Sequence, residues 1–187
     1  FSFPDDNLPV VRKDLTIQNL SPMPLTDVAV GYYYDWDIYL SSKNKTAYFD
    51  LAIPANMKNA GNIAAQYAFY PDSSTFIGSL AYSKQSAAQG QAAGKLAIEN
   101  ELNQIKALTS GYSVQNEDIA DINYTVGMKF PGSLGIGAER TCTVCTGYGK
   151  TPEELAYNLI YCMDKNWVGV NEQTESELQI TPNPVHD

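Results

Sequence analysis

The sequence predicts a mainly β protein, an antiparallel β-sandwich of jelly-roll or Ig-like type with one or two short helices. Three observations carry that expectation. Thirteen tyrosines, six phenylalanines and two tryptophans in 187 residues favour strands, where aromatic side chains pack well. Short runs in which apolar and polar residues alternate are separated by Pro, Gly, Asp and Ser, the period-two pattern of half-buried strands. One segment near the C-terminal end carries a full set of helix signals. A chain of this length buries a core without needing staples, and 44% hydrophobic against 18% charged residues is a globular composition.

Residues 9–20, "PVVRKDLTIQNL", place Val11, Leu15 and Ile17 among polar neighbours and read as a strand. "SPMPLTD" is a proline-punctuated turn, after which Val28, Val30, Tyr32 and Tyr34 alternate on one side of a second strand. The two are expected to pair as antiparallel neighbours joined by this loop. "IAAQYAFY" and "TFIGSLAYS" are two further strands joined by a turn at "PDSS". Residues 83–95, "SKQSAAQGQAAGK", lack bulky apolar side chains and read as a surface excursion. Leu96, Ile98, Leu102, Ile105 and Leu108 recur every three to four residues, which predicts a short helix stopped at Gly111.

Strand pattern returns in "DINYTVGMKF" and, after "PGSLGIGAE", in "RTCTVCTGY". The helix predicted over 152–166 opens with Thr151 as N-cap, Pro152 in the first turn, and Glu153 and Glu154 where the helix dipole favours acids. Leu155, Leu159, Cys162 and Met163 form its apolar face.

A formal charge of −9, from 21 acids against 12 bases, repels phosphate backbones and anionic surfaces, so nucleic acid is not an expected partner. Membrane insertion is not expected either, since no apolar run approaches the roughly 18 to 20 residues that cross a bilayer. The N-terminus has neither the basic start nor the apolar core of a signal peptide, and it lacks Met. The chain therefore reads as a processed or excised piece of a longer protein. The only histidine is His186, which argues against Ser-His-Asp, Cys-His and His-based zinc chemistry.

The stretch "YYYDWDIYLSSKNKTAYFD" concentrates the acids. Asp35 and Asp37, two apart at a strand end, point to one face while Trp36 turns to the core. With Asn44 and Asp50 brought back by the following loop, they offer oxygen ligands for Ca²⁺, which takes six to eight; the bland alternative is an acidic loop satisfied by turn hydrogen bonds. Catalysis by Asp35 and Asp37 stands third, because glycosidase carboxylates come from different elements across a cleft. A hydrolase would need a cleft that gathers acids such as Asp118 or Asp121 with Asp35.

Cys142-x-x-Cys145 lies on a strand rather than at a helix N-terminus, so a thioredoxin-type redox pair is not expected. Residues three apart on a strand face opposite ways, which sends Cys142 with Val144 to the core. Cys145 can meet Cys162 if the 152–166 helix packs over that face, with buried free thiols the default. Asn19-Leu20-Ser21, Asn44-Lys45-Thr46 and Asn123-Tyr124-Thr125 match the N-glycosylation pattern.

"ITPNPVHD" at the C-terminus resembles the opening of the C-terminal sorting domain of type IX secretion cargo in Bacteroidetes, and "VNEQTESEL" resembles the polar linker before it. The rest is similar to the β-sandwich module found upstream of that signal in large secreted proteins, including subtilisin-like proteases. The matching features are "LTIQNLSPMPLTDVAVGYYYDWDI", "YAFYPDSSTFIGSLAY", "KALTSGY" and "GAERTCTVCTGYGKTPEELAYNL". The resemblance implies an accessory domain over 1–170, and a linker with the start of a sorting domain over 171–187. It implies a non-catalytic module on the cell surface or outside the cell, whose partners are neighbouring domains of a parent such as a serine protease. The alternative is adhesion to glycan or host protein through exposed rings among Tyr32, Tyr33, Tyr39, Tyr48 and Tyr70.

Overall fold

The computed structural model describes residues 8–48, 63–71, 73–85, 88–94, 105–106, 108–109 and 121–164. The strands are β1 (Val10–Gln18), β2 (Leu25–Asp35), β3 (Lys45–Tyr48), β4 (Ile63–Phe69), β5 (Phe76–Tyr82), β6 (Gln89–Gly94), β7 (Asn123–Leu134) and β8 (Glu139–Gly149), followed by helix α1 (Pro152–Asp164). They form a five-stranded sheet, order β1-β8-β5-β4-β3, and a three-stranded sheet, order β2-β7-β6. Every pairing is antiparallel, so the fold is the β-sandwich that the alternation predicts.

Strand β8 shows how one sequence serves two cores. Cys142 and Val144 face the three-stranded sheet and pack with Tyr34, Ala64, Ala81, Tyr124, Val126 and Met128. Cys145 faces the other way and packs with Val10, Leu80, Leu155, Ala156, Leu159 and Cys162 of the helix layer. The period of two in β8 thus divides its side chains between an inter-sheet core and a sheet-to-helix core.

Helix α1 forms as its signals require. The Thr151 hydroxyl accepts from the Glu154 backbone N–H at 3.1 Å, and the Glu154 carboxylate accepts from the Lys150 N–H at 2.9 Å, together satisfying donors that a helix start leaves open. The Asn158 amide reaches back to the Tyr148 carbonyl at 2.9 Å, tying the helix to the end of β8.

Three expectations need correction. β1 and β2 do not pair: β1 lies on β8 and β2 on β7, in different sheets. The turn between them is an arch held by Asn19, whose amide donates to the Met23 and Leu134 carbonyls at 2.9 Å each, while its oxygen accepts from the Ser21 N–H. The excursion over 83–95 contains β6, paired with β7 from Gln89↔Lys129 to Gly94↔Tyr124; a strand of Gln, Ala and Gly is held by its backbone ladder and escapes any propensity argument. β7 also runs on through Pro131 instead of ending before it. Proline is tolerated there because the register against β2 shifts between Thr26 and Val28, with Asp27 at φ 52°, and a bulge is where a sheet accommodates the missing N–H.

Of the helix expected over 96–108, Ile105, Lys106 and Leu108 are helical, as is Thr109 just beyond it; the remainder and Gly111 lie outside the described residues. So do 165–166 of the C-terminal helix and the region 171–187. Among the described residues, no helix is long and apolar enough to cross a membrane.

Candidate functional site

The end of β2 and the residue pair leading into β7 build the acidic corner. Asp35 is the register partner of Asn123, and Trp36 donates its backbone N–H to the Ile122 carbonyl. This pins Asp121, just before Ile122, beside the β2 terminus. Asp35, Asp37 and Asp121 each present a carboxylate oxygen, all within 4.8 Å of one another, and all three residues are exposed. Burial first, and then the neighbouring charges of Asp121 and Asp37, raise the Asp35 carboxyl above its ordinary value.

The four expected ligands therefore fare differently. Asp35 and Asp37 come together. Asn44 is fully buried and donates to the Trp36 carbonyl at 3.1 Å, so it braces the backbone between the two aspartates. Asp50 lies outside the described residues, as does Asp118. Asp121 takes its place in the corner; β7 carries it there by long-range register, which no local spacing in the sequence announces.

Behind the corner, Trp36 stacks on Tyr34 with ring centroids 5.2 Å apart. Tyr34 shares a hydrogen bond with Thr146 at 2.8 Å, Thr146 with Ser79 at 3.2 Å, and the Tyr124 hydroxyl donates to Ser79 at 3.3 Å. This chain of hydroxyls joins the two sheets and fixes the corner's base. Burial raises the Tyr34 and Tyr124 phenols above their ordinary value, against the hydrogen bonds that lower them; both stay neutral and serve as hydrogen-bonding groups.

Cys145 and Cys162 form a disulfide, with Cα atoms 6.3 Å apart and a sequence separation of 17. Both are fully buried. Arg12 on β1 donates to the Cys162 carbonyl at 3.4 Å and pairs with Asp14 at 3.0 Å, so the bridge is backed by a second link between helix and sheet. Cys142 is a buried free thiol, pushed up to about 12 by burial and by Asp14, hence unreactive.

The aromatic side chains do not form one platform. Tyr32 packs against the inter-sheet core with Lys13 over its ring at 4.1 Å, Tyr33 is half-buried on the opposite face, and Tyr70 is buried against Tyr39. Of these candidate rings that the structure describes, Tyr39 alone is strongly exposed, at 83%; the side chain of Tyr48 lies outside the described residues. The asparagines of the three glycosylation patterns, Asn19, Asn44 and Asn123, are all buried, which leaves none of them accessible to a glycosyl donor in the folded chain.

No family model matches the sequence, and no curated protein matches it.

Proposed function

We propose that the chain is a non-catalytic accessory module of a larger exported protein, built to keep its fold outside the cell and stiffened at one corner by Ca²⁺. The observation that carries this reading is the buried Cys145–Cys162 bridge, which ties α1 to the five-stranded sheet. Such bridges persist in oxidising compartments and are rare where thiols are kept reduced. The resemblance of "TPNPVHD" to the start of a type IX sorting signal gives the same direction.

Against catalysis stand the exposure of all three corner carboxylates, which gives them little of the burial that tunes a catalytic acid or base, and a single histidine at position 186. For calcium stands the oxygen spacing: three carboxylate oxygens within 4.8 Å of one another can share one cation.

The test is thiol trapping in the cells that produce the protein. Acid quenching followed by a mass-shifting maleimide under denaturing conditions should label one cysteine of three. Labelling of all three in the mature protein would overturn the reading. A melt in EGTA and then in millimolar calcium, with Asp37→Ala alongside, tests the corner: calcium should raise the wild-type Tm and leave the variant unmoved.

A further inference from the structure

One end of the sandwich is built from two arches side by side. The chain crosses from β1 to β2 through residues 19–24 and from β7 to β8 through 135–138, each time passing from one sheet to the other. Asn19 locks the arches together: its backbone N–H donates to the Ala138 carbonyl, its own carbonyl accepts from the Gly137 N–H, and its side-chain amide donates to the Leu134 carbonyl. This frame carries apolar side chains into solvent. Eight large hydrophobic side chains are exposed among the described residues, and four of them sit here: Leu20 at 73%, Met23 at 68%, Ile136 at 65% and Leu25 at 41%.

The chemistry of the apex narrows what it can meet. Residues 19–25, "NLSPMPL", and 134–138, "LGIGA", contain no charge. The backbone of the first arch is largely satisfied from within: the Ser21 N–H donates to Asn19 Oδ1, the Met23 N–H to Ser21 Oγ, and the Met23 carbonyl accepts from Asn19 Nδ2 and Ser21 Oγ. Pro22 and Pro24 have no N–H to satisfy. Leaving water therefore costs this end less than it costs an ordinary loop. The same bonds occupy Asn19 and Ser21, so the apex offers a protein partner few polar groups to read. A specific protein interface takes roughly 20 to 30 residues a side and about one hydrogen bond per 100–200 Å². Two short protruding arches fall short of both, whether the partner is foreign or a second copy. A fluid lipid surface requires neither, because it closes around an apolar protrusion.

Charge selects the lipid. The chain is −9 overall, and Asp27 and Glu139 outnumber Arg140 at the border of the apex, so an anionic surface is repelled and a zwitterionic one is not. The acidic corner lies at the other end of β2 (Leu25–Asp35), about 33 Å away along the strand and beyond the reach of its charge at physiological salt.

We infer that the arch end, through Leu20, Met23, Leu25 and Ile136, is a peripheral anchor for a zwitterionic lipid surface. The contact is interfacial and needs no spanning segment. It is independent of the disulfide and of any ion at the corner.

The test is co-sedimentation of the whole chain with phosphatidylcholine vesicles, with and without phosphatidylglycerol, for the wild type and for Leu20→Ser combined with Met23→Ser. Both side chains lie mostly in solvent, so the double variant should melt with the wild type. The wild type should bind phosphatidylcholine, and bind less as phosphatidylglycerol is added at low salt; the double substitution should weaken binding at least tenfold. A nitrobenzoxadiazole label on Met23→Cys should brighten and shift to the blue on the vesicles, while the same label on Tyr157→Cys, on the exposed side of α1, should not. Wild type that stays in solution with phosphatidylcholine vesicles overturns the inference. So does binding that survives the double substitution or rises with phosphatidylglycerol. A Met23 label that responds to added unlabelled protein and not to lipid also overturns it, and makes the arch end a contact between copies.

Discussion

The two outer faces of the sandwich are covered in opposite ways. The five-stranded sheet is covered by α1, through Leu155, Leu159 and Cys162 packed on Leu80, Val10 and Cys145, and the cover is fastened covalently. Among the described residues, the three-stranded sheet is met by Leu108 at a glycine pair, Gly31 and Gly127, and by a hydrogen bond from Lys129 Nζ to the Thr109 carbonyl at 2.9 Å; beside them lie buried polar atoms without a hydrogen-bond partner, Asn123 Nδ2, Thr125 Oγ1 and Gln91 Oε1. Apolar burial and a crosslink serve stability, whereas small residues and polar groups without partners cost it. The difference teaches that the first face is fastened as scaffold by apolar packing and a crosslink, while the second rests on close backbone approach at a glycine pair.

The largest effect that can break this contrast is a cavity under α1. Leu155 is fully buried, so Leu155→Ala should cost about 2 to 5 kcal/mol in denaturant unfolding. A loss below about 1 kcal/mol would mean that the helix layer is not a true core. Next comes the bridge. Closing a loop of 17 residues is worth about 3 kcal/mol in the chain-entropy account, so Cys145→Ala with Cys162→Ala should lower Tm by roughly 6 to 12 °C for a chain of this size. If the double variant melts with the wild type, the fastening is incidental.

Cys142 sharpens the comparison within one strand. The native protein should not react with a thiol reagent at mildly alkaline pH, and one thiol should appear on unfolding without reductant. Fast native labelling would show that the inter-sheet core opens readily there.

The smallest effect lies at the corner. A carboxyl whose folded-state value is raised favours folding below the ordinary carboxylate range, and that contribution is lost as pH rises through the raised value. Asp35→Asn should therefore raise Tm slightly at neutral pH in EGTA, and the gain should fade as pH falls below about 4. The sign should reverse in saturating calcium, where the variant lacks a ligand.

What the sequence disclosed and what it withheld follow the same division. Helix α1 is legible because its cap, first-turn acids and apolar stripe are local, and β8 is legible because two-residue alternation alone separates Cys142 from Cys145. The crossing from β1 to β2 is not, since an arch and a hairpin use the same Pro and Ser residues and only the amide of Asn19 decides between them. β6 has no side-chain signature, and the glycine pair and the cluster of Asn123, Thr125 and Gln91 exist only through the register of β2, β7 and β6. Two of the three carboxylates of the acidic corner, Asp35 and Asp37, were readable from their spacing; Asp121 arrives by strand pairing across 86 positions of sequence.

Native-state hydrogen exchange, oxidised and reduced, tests the contrast between the faces most directly. In the oxidised protein the amides of α1 and β8 should approach the protection of global unfolding, while those of β6 exchange through local openings. Reduction of Cys145–Cys162 should lower protection in α1 and leave β6 unchanged. Equal protection on both faces, or an α1 indifferent to reduction, would contradict the account.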